Sequence, residues 1–304
     1  MSDHPEPASP DSTKAAARTP LADRISEPLQ RFIGVLIGSN HRPPRWFKSL
    51  LNGTWLGHPL HPVITDIPIG AWTLAALFDI IWLVSPTSNA WAARGAEVLV
   101  IAGVVVSLGA IVTGSADWSD TYGRERTIGL LHGALMILVA IIYAVSFGLR
   151  YTVGSGESVV GAVLGFVGVA VWGVAAFLGG EMVFTLGTNV NHTAWEAAGE
   201  DFEPVIALND LPENRLTRVV AAGVPVVLVR LGDKIAAISA TCPHAGGPLD
   251  EGSLEDGVVT CPWHSSRFRM RDGRVLTGPA TTNAPRYNVR IRDGQVEVLR
   301  AQGH

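Results

Sequence analysis

Between residues 63 and 180 the chain is apolar in four long runs, about 63–84, 98–116, 128–149 and 158–180, separated by short polar breaks. The last three hold about twenty residues each without a formal charge, enough to cross a hydrocarbon core of about 30 Å at 1.5 Å per residue. The first carries Asp66 and Asp79. Gly103, Gly109, Gly133, Gly161, Gly165, Gly168 and Gly173 are spread along the runs, as in membrane helices that pack closely through small residues. Short connections at 85–95 and 150–157 predict an up-down four-helix bundle. After residue 216 the period changes to two: Val219-Val220, Val226–Val229 and Ile235–Ile238 read as strands, and Gly232-Asp233, Asp256-Gly257, Asp272-Gly273 and Asp293-Gly294 read as turns. That pattern predicts a small all-β domain of short hairpins. Upstream, Leu21, Ile25, Leu29, Phe32, Ile33 and Leu36 recur at helical spacing with Arg24 and Arg31 between them. This is an amphipathic helix, kinked at Pro28, lying at a membrane surface or packed on its own protein. Residues 1–20 lack an apolar run and are expected to be disordered.

The fold class expected is therefore α + β multidomain, with a four-helix transmembrane bundle followed by a small β-sandwich. The boundaries expected are a tail at 1–20, an interfacial segment at 21–54, a four-span membrane domain at 55–190, a linker at 191–203 and a β domain at 204–301. Composition supports this division: 47% of the 304 residues are hydrophobic and 16% charged, against an ordinary charged share of about a quarter. The net charge of −4 and the lack of a basic patch with interleaved aromatics give no reason to expect nucleic acid as a partner. No charged leader precedes an early apolar core, so no cleavable signal is expected. Arg42, Arg45, Lys48, Arg124 and Arg126 flank one face of the spans and only Arg94 and Arg150 the other. Positive charge inside then puts both termini, and the β domain, in the cytoplasm.

The chain has two cysteines, in Cys242-Pro-His244 and Cys261-Pro-Trp-His264. Each loop offers one thiolate and one imidazole. Two Cys on one iron and two His on the other make a Rieske [2Fe-2S] centre; Cys₂His₂ around one tetrahedral zinc is the alternative. A disulfide would leave both His without a role. The stretch also resembles the Rieske ferredoxin family beyond these four residues, in Cys-Pro-His-Ala-Gly-Gly-Pro-Leu at 242–249, Cys-Pro-Trp-His-Ser-Ser-Arg-Phe at 261–268, and Gly278-Pro279-Ala280 at the third, Pro-containing loop. The resemblance covers roughly 203–301. It implies one-electron transfer, with Cys242, His244, Cys261 and His264 as ligands at the tip of a β-sandwich and the imidazoles near solvent. High-potential members have a further Cys in each loop, joined as a disulfide; here Gly247 and Trp263 stand there. They also hydrogen-bond the cluster through a Ser and a Tyr; Ser266 matches the first and Phe268 replaces the second. Fewer hydrogen bonds imply the lower part of a range of roughly −150 to +300 mV.

In an up-down bundle His58, His61, His132 and His192 fall at one end, with Asp66, Asp117, Asp120, Glu181 and Asn191. Ionisable groups at membrane depth mark a pathway or site. The sharper reading is a quinone or redox pocket, haem b ligated by two of His61, His132 and His192 being one form. The plainer one has His-Pro-Leu-His-Pro at 58–62 as a rigid helix start with its imidazoles in the headgroup layer. Residues 55–190 resemble a family of four-helix bacterial membrane domains of no established activity, through Gly-His-Pro-Leu-His-Pro at 57–62, Ile67-Pro-Ile-Gly70, Asp79, His132 and Gly179-Gly-Glu181. The expected location is thus the bacterial inner membrane. Expected partners are the lipid membrane, a soluble electron donor or acceptor protein, and quinone. Arg267, Arg269 and Arg271 alternate with Phe268 and Met270 as a solvated strand face or a docking patch for an acidic redox protein. A Rieske oxygenase needs a 2-His-1-carboxylate iron site on a further domain, and the chain ends within forty residues of His264. A transporter or sensor gated by the cluster would draw on Asp66, Asp79 and Glu97.

Overall fold

A computed structural model describes residues 20–37 and 45–301; the tail expected at 1–20 lies outside these except for Pro20, as does Arg42. The chain divides into two compact units, one built from Leu60–Leu186 with most of the first helix, the other from Gly187 onward with the segment ending at Pro59.

In the first unit, helices α3 (Leu60–Val84), α4 (Ala90–Trp118), α5 (Gly123–Val153) and α6 (Val159–Gly180, continued by a π turn over Glu181–Thr185) coincide with the four apolar runs. All four are long and apolar enough to span a membrane. α3 packs on α4, α4 on α5, α5 on α6, and α6 returns to α3. Local chemistry sets the ends. Ser158 accepts the Gly161 amide through its hydroxyl at 3.1 Å and starts α6; Gly154, at φ +78°, takes the left-handed turn that stops α5. Trp72 and Tyr143 stack at 4.3 Å in the interior, against Gly103 and Gly168, where any Cβ would run into their rings. The outer faces stay apolar, with Leu77, Leu108 and Phe177 exposed. Asp79, which interrupts the first run, is fully buried against Arg150 through a bidentate pair of 2.8 and 2.6 Å.

Helix α1 (Pro20–Ile37) runs through Pro28. Its polar side faces the bundle: Ser26 is buried, Gln30 donates to the Trp118 and Thr121 carbonyls at 2.9 and 3.1 Å, and Glu27 lies 3.8 Å from Arg126. Ile25, Leu29 and Phe32 point outward, so the helix is packed on its own protein through polar groups and presents its apolar side as an interfacial helix does.

The second unit holds two antiparallel sheets. The larger has the order β1 (Glu203–Ala207), β10 (Gln295–Arg300), β9 (Arg286–Arg292), β4 (Lys234–Ser239), β3 (Val224–Leu231), β2 (Thr217–Ala221). The smaller, β5 (Ser253–Glu255), β6 (Val258–Thr260), β7 (Arg267–Arg269) and β8 (Val275–Thr277), is inserted between β4 and β9. Val227, Val229 and Ile238 of the large sheet close on Val259, Phe268 and Met270 of the small one. Val226 and Leu228, on the opposite face of β3, join Val219, Ala237 and Val296 in a second core. β3 is thereby covered on both faces, which is why it reads as an unbroken apolar run rather than an alternation.

The segment 21–54, expected as one interfacial stretch, is divided. Its helix α2 (Trp46–Asn52) belongs with the sheets, burying Lys48 and Asn52. The stretch 191–203, expected as a linker, is docked: Ser239 donates to Glu196 Oε1 at 2.6 Å, Arg300 donates to the Glu196 carbonyl, and the His192 amide donates to the Pro243 carbonyl at 3.0 Å.

Candidate metal centre

Two loops of matching shape leave the apolar core side by side. In the first, the Cys242 amide donates to the Gly247 carbonyl at 2.8 Å and the Gly246 amide returns to the Cys242 carbonyl at 2.9 Å. In the second, the Cys261 amide donates to the Ser266 carbonyl at 2.8 Å and the Ser265 amide to the Cys261 carbonyl at 3.1 Å. Both turns place the fifth residue in the left-handed region, Gly246 at φ +75° and Ser265 at +61°. The imidazole sits third in one loop, His244, and fourth in the other, His264, and the rings meet edge to face with centres 4.8 Å apart. The buried thiols form the other pair, hydrogen-bonded to each other.

Burial pushes the Cys242 thiol well up. The Cys261 thiol is pulled down by the hydrogen bond from Cys242, helped by the Trp263 and His264 amides. A metal bound here would displace the thiol protons. Burial, and then the neighbouring His264, His192 and Lys48, hold His244 well below the usual imidazole range. It is therefore neutral, as a ligand must be, and its Nδ1 is buried with no protein partner. Among the described residues no three His, Cys, Asp or Glu donors converge on one ion. Single-ion zinc asks for four donors around one point; a thiol pair beside an imidazole pair fits a two-iron cluster with two Cys on one metal and two His on the other.

Close packing surrounds the donors. Gly247 has no room for a side chain: a Cβ there would lie 2.9 Å from Cys261 Sγ and 3.1 Å from the Trp263 ring. Ser266, fully buried, accepts the Ala280 amide at 3.0 Å, leaving its own hydroxyl proton to give. Phe268 lies in the core between the sheets. The Pro-containing loop at 278–280 is held from α2 and the turn after it, Ser49 Oγ accepting the Gly278 amide and Thr54 Oγ1 donating to the Ala280 carbonyl, both at 3.1 Å. No local signal in 45–54 announces these two bonds, which join positions more than 200 apart in sequence.

The resemblance implied imidazoles near solvent. Instead His264 is 7% exposed, and His244 lines a cavity of about 200 Å³ with His58, Pro59, Asn189 and Asn191. The four membrane-flanking histidines are distributed over both units. His58 and His192 belong to the sheet-bearing unit, where His192 lies beside Gly246 and burial lowers its pKa; His61 and His132 face each other in the helical unit. The His192 amide is bonded to the Pro243 carbonyl of the first cluster loop. Of the strand arginines, Arg269 pairs bidentately with Asp272 and Arg271 lies 3.6 Å from the same carboxylate.

Comparison with known proteins agrees with this geometry. Residues 57–192 match the family described as "Predicted membrane protein (DUF2231)", and residues 201–288 match the Rieske [2Fe-2S] domain. The ferredoxin subunit of anthranilate 1,2-dioxygenase from Burkholderia cepacia is 36% identical over 103 residues, 34% of this chain and 95% of the relative. Ferredoxin CarAc of Metapseudomonas resinovorans is 32% identical over 95 residues, 31% of this chain and 89% of the relative. The ferredoxin component of the naphthalene 1,2-dioxygenase system of Pseudomonas aeruginosa is 30% identical over 99 residues, 33% of this chain and 95% of the relative. Through its C-terminal third, carried behind a DUF2231 membrane domain, the chain belongs to the Rieske [2Fe-2S] ferredoxin family.

Proposed function

We propose that this is a membrane-anchored one-electron carrier in which Cys242 and Cys261 hold one iron, His244 and His264 hold the other, and a soluble oxygenase or reductase component exchanges the electron. The observation that carries the reading is the convergence of a thiol pair and an imidazole pair from two equivalent loops, in a domain similar along nearly its whole length to ferredoxins of dioxygenase systems. The bound cluster supplies a centre that takes up and releases one electron. The chain's part is to keep the His244 imidazole neutral, pack Trp263 and Phe268 against the buried cysteines, and hold Ser266 with its proton unused. The transporter alternative is weakened, because Asp79 is spent on Arg150 and Glu97 on Arg94, at 2.6 Å each.

The partner surface we assign is the broad groove beside the small sheet, where Arg45, Arg267, Arg269, Arg274 and Arg286 stand against Glu255 and Asp272, which suits an acidic protein. The orientation with the cluster domain in the cytoplasm gains support from Arg150, which is buried in an ion pair and leaves Arg94 as the exposed cation of the opposite face. Visible and EPR spectra of the purified protein decide the cluster type: a Rieske signal lost in Cys242→Ser is expected, and a colourless preparation containing only zinc sinks the proposal. Arg267→Glu with Arg274→Glu should slow reduction by a soluble reductase at low salt and less so at high salt.

A further inference from the structure

His61 and His132 stand on α3 and α5, across the bundle from each other. His61 Nδ1 lies 2.9 Å from the Ala110 carbonyl of α4, and His132 Nδ1 lies 2.8 Å from the Ala175 carbonyl of α6. A carbonyl only accepts, so both Nδ1 atoms carry the proton and both Nε2 lone pairs are free to bind. A backbone carbonyl fixing the tautomer of a histidine ligand is the usual support behind a bound metal. Both rings are seated by glycines: a Cβ at Gly114 would lie 2.7 Å from His61 Cε1, and one at Gly179 would lie 3.3 Å from His132 Cε1.

The ring centres are 6.4 Å apart and the planes stand at 89°. A metal sits about 2.0–2.1 Å from an imidazole nitrogen, so about 3 Å from the ring centre, and two imidazoles on opposite sides of one metal are roughly 6 Å apart. The pair in the cluster domain, at 4.8 Å, has the closer spacing of two ligands side by side on one metal. The spacing of His61 and His132 is that of trans ligands.

We propose that His61 and His132 are the axial ligands of one haem b iron in the membrane domain. No third His, Cys, Asp or Glu joins them among the described residues, so a bare divalent ion would lack its remaining protein donors. A porphyrin brings four nitrogens of its own and asks the protein for two axial groups. Attachment is non-covalent, since the chain has no Cys-x-x-Cys-His. The inference does not rest on the cluster.

The test uses the full-length protein, purified in detergent from haem-replete cells. One haem per chain is expected by pyridine haemochrome assay, with an intact low-spin spectrum in Cys242→Ser, which removes the cluster alone. His61→Ala and His132→Ala should each reduce haem content at least tenfold, whereas His58→Ala and His192→Ala should keep it. Nearly perpendicular imidazole planes predict a highly anisotropic low-spin ferric EPR signal. His61→Met guards against simple misfolding: it should retain haem, change the axial spectrum and raise the potential, as His/Met ligation does. A wild-type protein without haem, a site holding copper or zinc in its place, or haem content unchanged in both alanine variants would overturn the proposal.

Discussion

Arg150 and Asp79 offer a quantitative test of how the membrane domain is held together. The guanidinium is fully buried and the carboxylate nearly so; Nη1 and Nη2 meet the two carboxylate oxygens, and Nε donates to Ser146 Oγ at 3.2 Å. Asp79→Asn keeps the shape but removes the charge. It leaves a buried cation facing an amide, with Ser146 as its remaining good acceptor. Breaking such a pair costs about 3–5 kcal/mol, roughly two to four decades in the folding constant at 1.36 kcal/mol per decade. Arg150→Met should cost a similar amount by stranding the carboxylate. The double change Asp79→Leu with Arg150→Met removes both charges, and should recover most of the loss or exceed wild type. Unfolding of the full-length protein in mixed SDS and detergent micelles, followed by tryptophan emission, compares wild type, the two single variants, Asp79→Leu alone and the double variant, which closes the cycle. Single variants within about 1 kcal/mol of wild type would refute the reasoning, as would a double variant as poor as the worse single.

Three further outcomes are expected. Ser266→Ala should lower the cluster potential by roughly 40 mV for each kcal/mol of hydrogen bonding lost from the reduced form, read by redox titration; an unchanged potential would show that this hydroxyl does not serve the cluster. Ser49→Ala with Thr54→Val should remove about 0.5–1.5 kcal/mol per bond from the hold on the 278–280 loop and shorten the half-life of the visible cluster absorbance in air; equal half-lives would count against a role for α2. Burial raises the Glu196 carboxyl despite the Ser239 and Arg300 contacts, so the folded chain keeps that proton to higher pH than the unfolded one. Its contribution is full below the unfolded value near 4.5 and declines as pH rises through the folded value. Glu196→Gln should flatten that part of the stability profile of the cluster domain, and an unaltered slope would dismiss the group.

The apolar runs made the spans legible because a lipid-facing helix must be apolar on its outer face and here packs through Gly and Ala within. Asp-Gly and Gly-Asp pairs located the turns at 232–233, 256–257, 272–273 and 293–294. The turn at Ala222-Gly223 escaped notice because Ala222, at φ +50°, has no turn chemistry of its own. The periodicity singles out only β2, β3 and β4; β5 to β8 are three residues each, and Glu203, Pro204 and Gln295 blur the alternation at β1 and β10. The partner of Asp79 was hidden for another reason. Arg150 counted as a flanking charge at the end of a span, and only the helix pairing turns it inward. Place along the spans does not show that His58 and His192 lie in stretches, 45–59 and from Gly187 onward, that fold with the sheets.

How the cluster loops are kept together follows from those same contacts. In high-potential relatives a disulfide joins the loops at the positions held here by Gly247 and Trp263. Without a Cβ at 247, the Trp263 ring and Cys261 Sγ close over that position, so one loop is packed onto the other by contact instead of by a covalent bond. The third loop is tied through Ser266 on one side and through Ser49 and Thr54 on the other. The last two belong to the stretch just before the first span. Residues from before the first span therefore hold the third loop. Severing the chain before residue 60 should cost cluster stability as well as membrane attachment, which makes the fusion part of the metal site and not merely its tether.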